Sequence, residues 1–287
     1  LYVLEGLVNE FNLGRVNLIN YKQEIIADLN LLKKNIQNHQ GIYCLSLVTF
    51  KSSFLYPMRD LNLWAEENNS IIVWDLSHAI GAVEIDLKET QTKIALGCSY
   101  KFMNGGPGSP AFLFIQKKLQ DLLHNPIKGW FGHQNPFNFA PNYLPDSGIN
   151  RFASGTTQVL SMQAMEPGID ITLEAGIKNL RKKSIELSEF FLNGIEEELI
   201  PLGFKIQSPS NSNLRGSHLT ISHPASWEIC QALIQGESNA LKVIPDYRPP
   251  NLLRFGIAPL YTSYENIFRV LIRIKEIFKT ESYKKLK

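Results

Sequence analysis

Cysteine is scarce in this chain: 287 residues hold three, Cys44, Cys98 and Cys230. They are odd in number, far apart and without a CxxC spacing, which argues against a disulfide framework and against a zinc cage. A dominant charge is lacking too. Lys+Arg 29 against Asp+Glu 27 leave a net +2, with no polybasic run, so the electrostatic footprint of a nucleic-acid binder is absent. No stretch approaches the roughly twenty apolar residues that a membrane-crossing helix needs. The opening residues lack the basic, apolar and small-residue zones of a secretory signal. Together these absences lead to the expectation of a soluble, cytoplasmic protein. At 44% hydrophobic and 20% charged residues, the composition is globular and excludes disorder, collagen and coiled coil. The length suits one large domain or two smaller ones.

The first clear periodicity runs from Tyr21 to His39, where Ile25, Ile26, Leu29, Leu32 and Ile36 recur at helical spacing. No element is recognisable before it. Ile42 to Thr49 and Ser70 to Asp75 are short apolar runs that predict strands buried on both faces. The helical spacing from Tyr56 to Glu67 between them gives β-α-β with a parallel pair and right-handed crossover. Thr92 to Gly97 and Ala111 to Ile115 predict two further strands that pair across KFMNGGPGSP. A short helix is predicted from Gln116 to Asn125, followed by a long aperiodic region, GWFGHQNPFNFAPNYLP. Such a loop in a compact domain is usually functional or covers another subunit. From Val159 to Leu199 the pattern is helical, with breaks expected near Pro167 and Gly176. The remainder predicts a strand (Ser217 to Ser222), a helix (Trp227 to Ile234), strands near Leu241 to Ile244 and Leu253 to Ile257, and a last helix (Tyr264 to Phe278). The boundaries that follow are 1–155, a connecting helical stretch 156–200, and a small α+β unit 201–287.

Asp75 stands where SIIVW runs out, at the carboxyl end of a parallel strand, where open α/β sheets place ligands. It would equally serve as an N-cap for a helix beginning at Leu76. His78, three residues on, would be aimed into the same crevice by a short turn, or would be a satisfied structural group. Lys101 ends another apolar strand, directly before a glycine-rich turn; on local pattern alone it could be a surface lysine before a hairpin. A carboxylate, a nearby imidazole and a strand-terminal lysine from one sheet are the parts that bind pyridoxal phosphate. The lysine forms a Schiff base, and the carboxylate keeps the pyridine nitrogen protonated so that the ring acts as an electron sink.

WDLSHAIGAVEIDL, GCSYKFMNGGPGSPAFLF, GWFGH, RFASGTTQVLS and LLRFGIAPLY together resemble the kynureninase family, within the class V aminotransferase-like group. The resemblance covers essentially the whole chain; the NGGPG turn and GWFGH segment set it apart from cysteine desulfurases, which share D-x-x-H and S-Y-K. It implies an α/β fold-type-I architecture: a large domain with a mainly parallel sheet, and a smaller C-terminal domain. It implies Lys101 as the Schiff-base lysine and proton shuttle, Asp75 on the pyridine nitrogen and His78 beside the ring. Tyr100 would reach the phosphate and take part in proton transfer, and Ser46 would contribute to the cofactor pocket. Trp130 and Thr156 would approach the phosphate of the neighbouring subunit in a homodimer. Arg254 would take the substrate α-carboxylate in a bidentate fork, with Arg151 a weaker candidate. His133, His218 and His223 receive no role.

The implied reaction is hydrolysis of L-kynurenine, or 3-hydroxy-L-kynurenine, to anthranilate or 3-hydroxyanthranilate and L-alanine, a step of tryptophan catabolism and NAD biosynthesis. The alternatives are another class V enzyme, such as a cysteine desulfurase, and a non-catalytic remnant. Full-length relatives carry a large stretch before the segment that starts at Leu1, with residues that stack on the cofactor ring and much of the phosphate cup. The expectation is that this chain alone binds cofactor poorly.

Overall fold

The structure is a computed structural model that describes residues 1–19, 25–235 and 241–285. Residues 21–24 of the first predicted helix lie outside them. The chain opens with α1 (Tyr2–Glu10), which buries none of its side chains; the sequence reading had no element here. α2 (Leu29–Asn38) begins later than the periodicity suggests. Asp28 caps it, its carboxylate accepting the Asn30 and Leu31 amides, so Ile25 and Ile26 precede the helix rather than join it.

A βα alternation follows: β1 (Ile42–Ser46), α3 (Met58–Glu67), β2 (Ile71–Asp75), β3 (Ile94–Cys98) and β4 (Ala111–Ile115). Among the described residues these strands form one sheet in the order β1-β2-β3-β4. The first three run parallel, and β3 pairs antiparallel with β4. Parallel pairing brings Ser46, Asp75 and Leu96 into register, so the carboxyl ends of β1 and β2 finish side by side. Leu32, Ile36, Leu61, Trp74 and Ala95 fill the core on one face, and Trp74 Nε1 donates to Asn62 Oδ1 at 2.8 Å. The opposite face differs from expectation. Ile42, Cys44, Leu96 and Leu113 are exposed on it, so β1 is a half-covered edge strand rather than one buried on both sides.

After the short α4 (Lys117–Gln120), the chain from 129 to 152 is irregular, marked by 3₁₀ turns at Trp130–Gly132, Pro136–Asn138 and Gly148–Phe152. α5 (Val159–Ala175) contains Pro167 without breaking, while Gly176 at φ +77 ends it. α6 (Ile177–Gly194) then continues through a π turn to Leu199.

The second sheet comprises β5 (Lys205–Ile206), β6 (His218–Ser222), β7 (Asp246–Arg248) and β8 (Leu252–Gly256), in the antiparallel order β5-β6-β8-β7. Residues 241–245 are not strand; the pairing starts at Asp246. α7 (Ser226–Gln235) and α8 (Tyr264–Lys279) cover this sheet together with α6. Phe191, Leu219, Leu253, Leu271 and Ile274 lie at its core. α8 starts on a capping box between Ser263 and Asn266.

The two sheets are joined by the segment after β1. Leu55 N donates to Leu214 O, Gly216 N to Ser53 O, Thr220 Oγ1 to Lys51 O and Arg254 to Phe50 O. Residues 50–55 thus run as a strap from the end of β1 onto the second sheet.

Candidate functional site

The end of β2 holds its carboxylate firmly. Ser46 Oγ donates to Asp75 Oδ2 at 3.2 Å, and Ser77 N donates to Asp75 Oδ1 at 2.9 Å. Asp75 therefore closes a tight turn rather than capping a helix, since residues 77–82 are turn. Serine reaches it because parallel pairing places Ser46 directly opposite.

That turn leans on a second one. Gly81 has φ +84, and a Cβ there would lie 2.5 Å from the Phe102 carbonyl oxygen; only glycine permits this approach. The contact brings the Asp75–His78 turn beside the turn that carries Lys101. Lys101 itself is half-buried, its Nζ 5.1 Å from the ring centroid of the half-exposed Tyr100.

His78 reports on the cluster. Burial pushes its pKa down to about 4; the positive charges of Lys101, Arg254 and Arg248 act in the same direction, and Asp75 opposes them. His78 is thus a neutral imidazole at neutral pH, with Asp75, Lys101 and Arg254 around it. Arg254 comes from β8 on the other sheet. One arm of its guanidinium donates to Phe50 O at 2.8 Å, and the other pairs with Asp246. Asp246 also holds Arg248 at 3.2 Å.

Trp130 and Thr156 are exposed. A Cβ on Gly129 would fall 1.6 Å from Ser154 O, so the loops carrying them press together. Trp130 packs edge-on against Phe131 and Phe137. Neither Trp130 nor Thr156 shares a hydrogen bond or ring contact with Lys101 or His78 among the described residues. Arg151 is buried and fully engaged in this loop region, donating to the carbonyls of Asp146, Asp121 and Leu123 and pairing with the Asp121 carboxylate at 3.0 Å.

Of the histidines without an assigned role, His133 is tied to Asn142 O and Asn135 N, and His223 packs on Phe204 and Phe278. His218 is different. It opens β6, is 2% exposed, and stands with its ring 5.8 Å from that of His78. The signal for it was present in the sequence, as an imidazole heading an apolar strand, yet nothing local marks which histidine meets the site.

The profile of the aminotransferase class-V family matches residues 7–225. The chain belongs to that family. The kynureninase C-terminal domain profile matches residues 180–274. A kynureninase of Burkholderia pseudomallei is 33% identical over 284 residues, covering 99% of this chain and 66% of the relative. One from Pseudomonas fluorescens is 32% identical over 283 residues, covering 99% and 65%. The chain thus spans just under two thirds of the length of these class V relatives. A cysteine desulfurase of Thermococcus onnurineus shares the fold, with a TM-score of 0.79 at 16% identity over 98% of this chain and 70% of that one. An alanine–glyoxylate aminotransferase of Nostoc gives a TM-score of 0.69 at 14% identity, over 96% and 72%. Class V enzymes are pyridoxal-phosphate-dependent, and the residues here fit that cofactor. A carboxylate fixed from two sides, a lysine on the adjoining turn and a neutral imidazole that feels both charges form one cluster.

Proposed function

We propose that this chain carries the catalytic groups of a kynureninase, hydrolysing L-kynurenine or its 3-hydroxy form to the anthranilate and L-alanine. The observation that carries the reading is the close approach of the Asp75 turn to the Lys101 turn at Gly81 and Phe102, with the charges of Asp75, Lys101 and Arg254 all bearing on His78. It is joined by one-third identity to kynureninases along the chain.

Bound pyridoxal phosphate supplies the electron sink for charge developing at the substrate α-carbon. Asp75 would hold the proton on the pyridine nitrogen, and the hydrogen bonds from Ser46 and Ser77 keep its carboxylate aimed. His78 would stand beside the ring as a neutral group and add no charge to compete with that proton. Lys101 would hold the cofactor through its aldehyde, and its Nζ would be the base for the substrate α-proton. Tyr100, beside Lys101, serves the phosphate and proton transfer. Arg254 takes the α-carboxylate, which orients the side-chain carbonyl for attack by water and cleavage of the Cβ–Cγ bond. Trp130 and Thr156, exposed on paired loops, face the phosphate of a neighbouring subunit in a homodimer. Residues 1–155 form the C-terminal part of the cofactor domain, 156–200 the connection and 201–287 the small domain.

The test is release of anthranilate from L-kynurenine by the cofactor-loaded protein, read by product fluorescence. Sulfur release from L-cysteine without anthranilate formation would overturn the reading in favour of a desulfurase, the activity named for one of the fold neighbours.

A further inference from the structure

His218 is buried, and its Nε2 has no hydrogen-bond partner among the described residues. A buried acceptor left bare is costly, and native structures rarely keep one. The carbonyls of Phe50 and Thr49 face the ring and favour an N–H on that side, which assigns the ring proton to Nδ1 and leaves the lone pair on Nε2. Burial keeps the ring neutral, its pKa pushed down to about 3, with the Arg254 charge acting in the same direction. Arg254 is nearby, with two of its N–H groups going to Phe50 O and Asp246, and none of them reaches His218 Nε2. The ring that remains is His78, 5.8 Å away between centroids and tilted by 57°. With ring nitrogens about 1.15 Å from each centroid, two of them aligned along that line stand about 3.5 Å apart, and a shift of about half an ångström brings them to hydrogen-bond distance.

We propose that His218 is a positioning residue whose Nε2 accepts a hydrogen bond from His78, fixing which nitrogen of His78 carries the proton and which faces the cofactor. In an imidazole the partner of one nitrogen sets the role of the other. His78 projects from the large sheet and His218 from the small one, so the tautomer beside the cofactor depends on how the sheets are docked. The strap enforces that docking locally: Ser53 Oγ accepts from His218 N at 3.4 Å, and Arg254 anchors to Phe50. The charged groups bearing on His78 are Lys101, Arg254, Arg248 and Asp75; His218 differs from all of them in being neutral and able to accept. The inference rests on the reading above only for what His78 faces.

Two-bond ¹H–¹⁵N spectra of protein labelled at histidine nitrogens report each tautomer directly, with no need for activity. The His78 signals are assigned by their loss in His78→Asn. One net hydrogen bond corresponds to about a tenfold preference, so wild type should show His78 as one dominant tautomer. His218→Leu should bring the two forms towards parity, and His218→Gln, whose amide oxygen can accept, should restore the preference. An unchanged His78 pattern in folded His218→Leu overturns the proposal. So does a mixed population in wild type, which needs no variant to fold. A single tautomer without anthranilate formation would overturn the function and leave the pair standing; turnover with a mixed tautomer does the reverse.

Discussion

Gly81 and Phe102 meet more closely than any side chain would allow: a Cβ on the glycine would stand 2.5 Å from the phenylalanine carbonyl oxygen, at a φ of +84. This contact sets the Asp75 turn against the Lys101 turn. Gly81→Ala should cost about 2–3 kcal/mol, combining backbone strain with the clash. It should also weaken cofactor binding, because the turns separate. Urea denaturation and absorbance titration with pyridoxal phosphate measure the two effects. Wild-type affinity in the variant would show that the turns are not coupled in this way.

Asp75→Asn leaves the shape and removes the charge proposed to hold the ring proton. Turnover should fall by two orders of magnitude or more, with the Michaelis constant for L-kynurenine changed far less. Ser46→Ala removes a single hydrogen bond to the same carboxylate and should cost a net of about 1 kcal/mol. Steady-state kinetics of both variants distinguish a group that carries charge from one that aims it.

Lys101→Ala should abolish the visible absorbance of the cofactor-loaded protein along with turnover. Normal turnover in that variant would remove Lys101 from the mechanism.

His78 and His218 give stability a pH dependence of defined sign. Their folded pKa values are held at about 4 and about 3, below the usual 6.5, first by burial. Between 6.5 and these values the unfolded chain binds protons that the folded chain refuses. Their contribution is therefore complete above 6.5 and is lost as pH falls toward 4 and 3. Urea midpoints at neutral pH and near pH 5 should differ less in His218→Gln than in wild type.

Arg215 is 1% exposed and donates to Pro209 O, Ser210 O, Ser188 Oγ and Glu189, while its backbone bridges to Phe54 in the strap. Arg215→Ala should destabilise the chain by about 3 kcal/mol, since it strands buried carbonyls and leaves a cavity. The loss is readable by thermal unfolding.

The local pattern conveys much of this architecture. β2 ends on Asp75 because apolar β-branched residues give way to a carboxylate, and the parallel β1–β2 pair follows from the helix between them. Pro167 misleads, because it stands midway along α5, where a proline costs a backbone hydrogen bond but does not end the helix when the flanking turns hold it. The cover on β1 was misread for a related reason: an apolar run states what a strand can bury, whereas tertiary neighbours decide what it does bury. The lysine, aspartate and arginine stood out through strand ends and motif resemblance. His218, the Phe50 carbonyl and Asp246 did not, since their importance lies in contacts across 140 to 204 positions of sequence, or in a pairing between strands that no local spacing encodes.

The strap from Phe50 to Leu55 means that the proposed site does not divide along its sheets. A C-terminal half produced alone would retain Arg254 and Asp246 but lose the Phe50 carbonyl that steadies one arm of the guanidinium. Grafting the second sheet onto another class V scaffold would meet the same obstacle unless the six-residue connection travelled with it. On the proposed reading carboxylate recognition is a property of a junction, and variation in the strap would be felt as a change in substrate handling, although none of its side chains need touch a substrate.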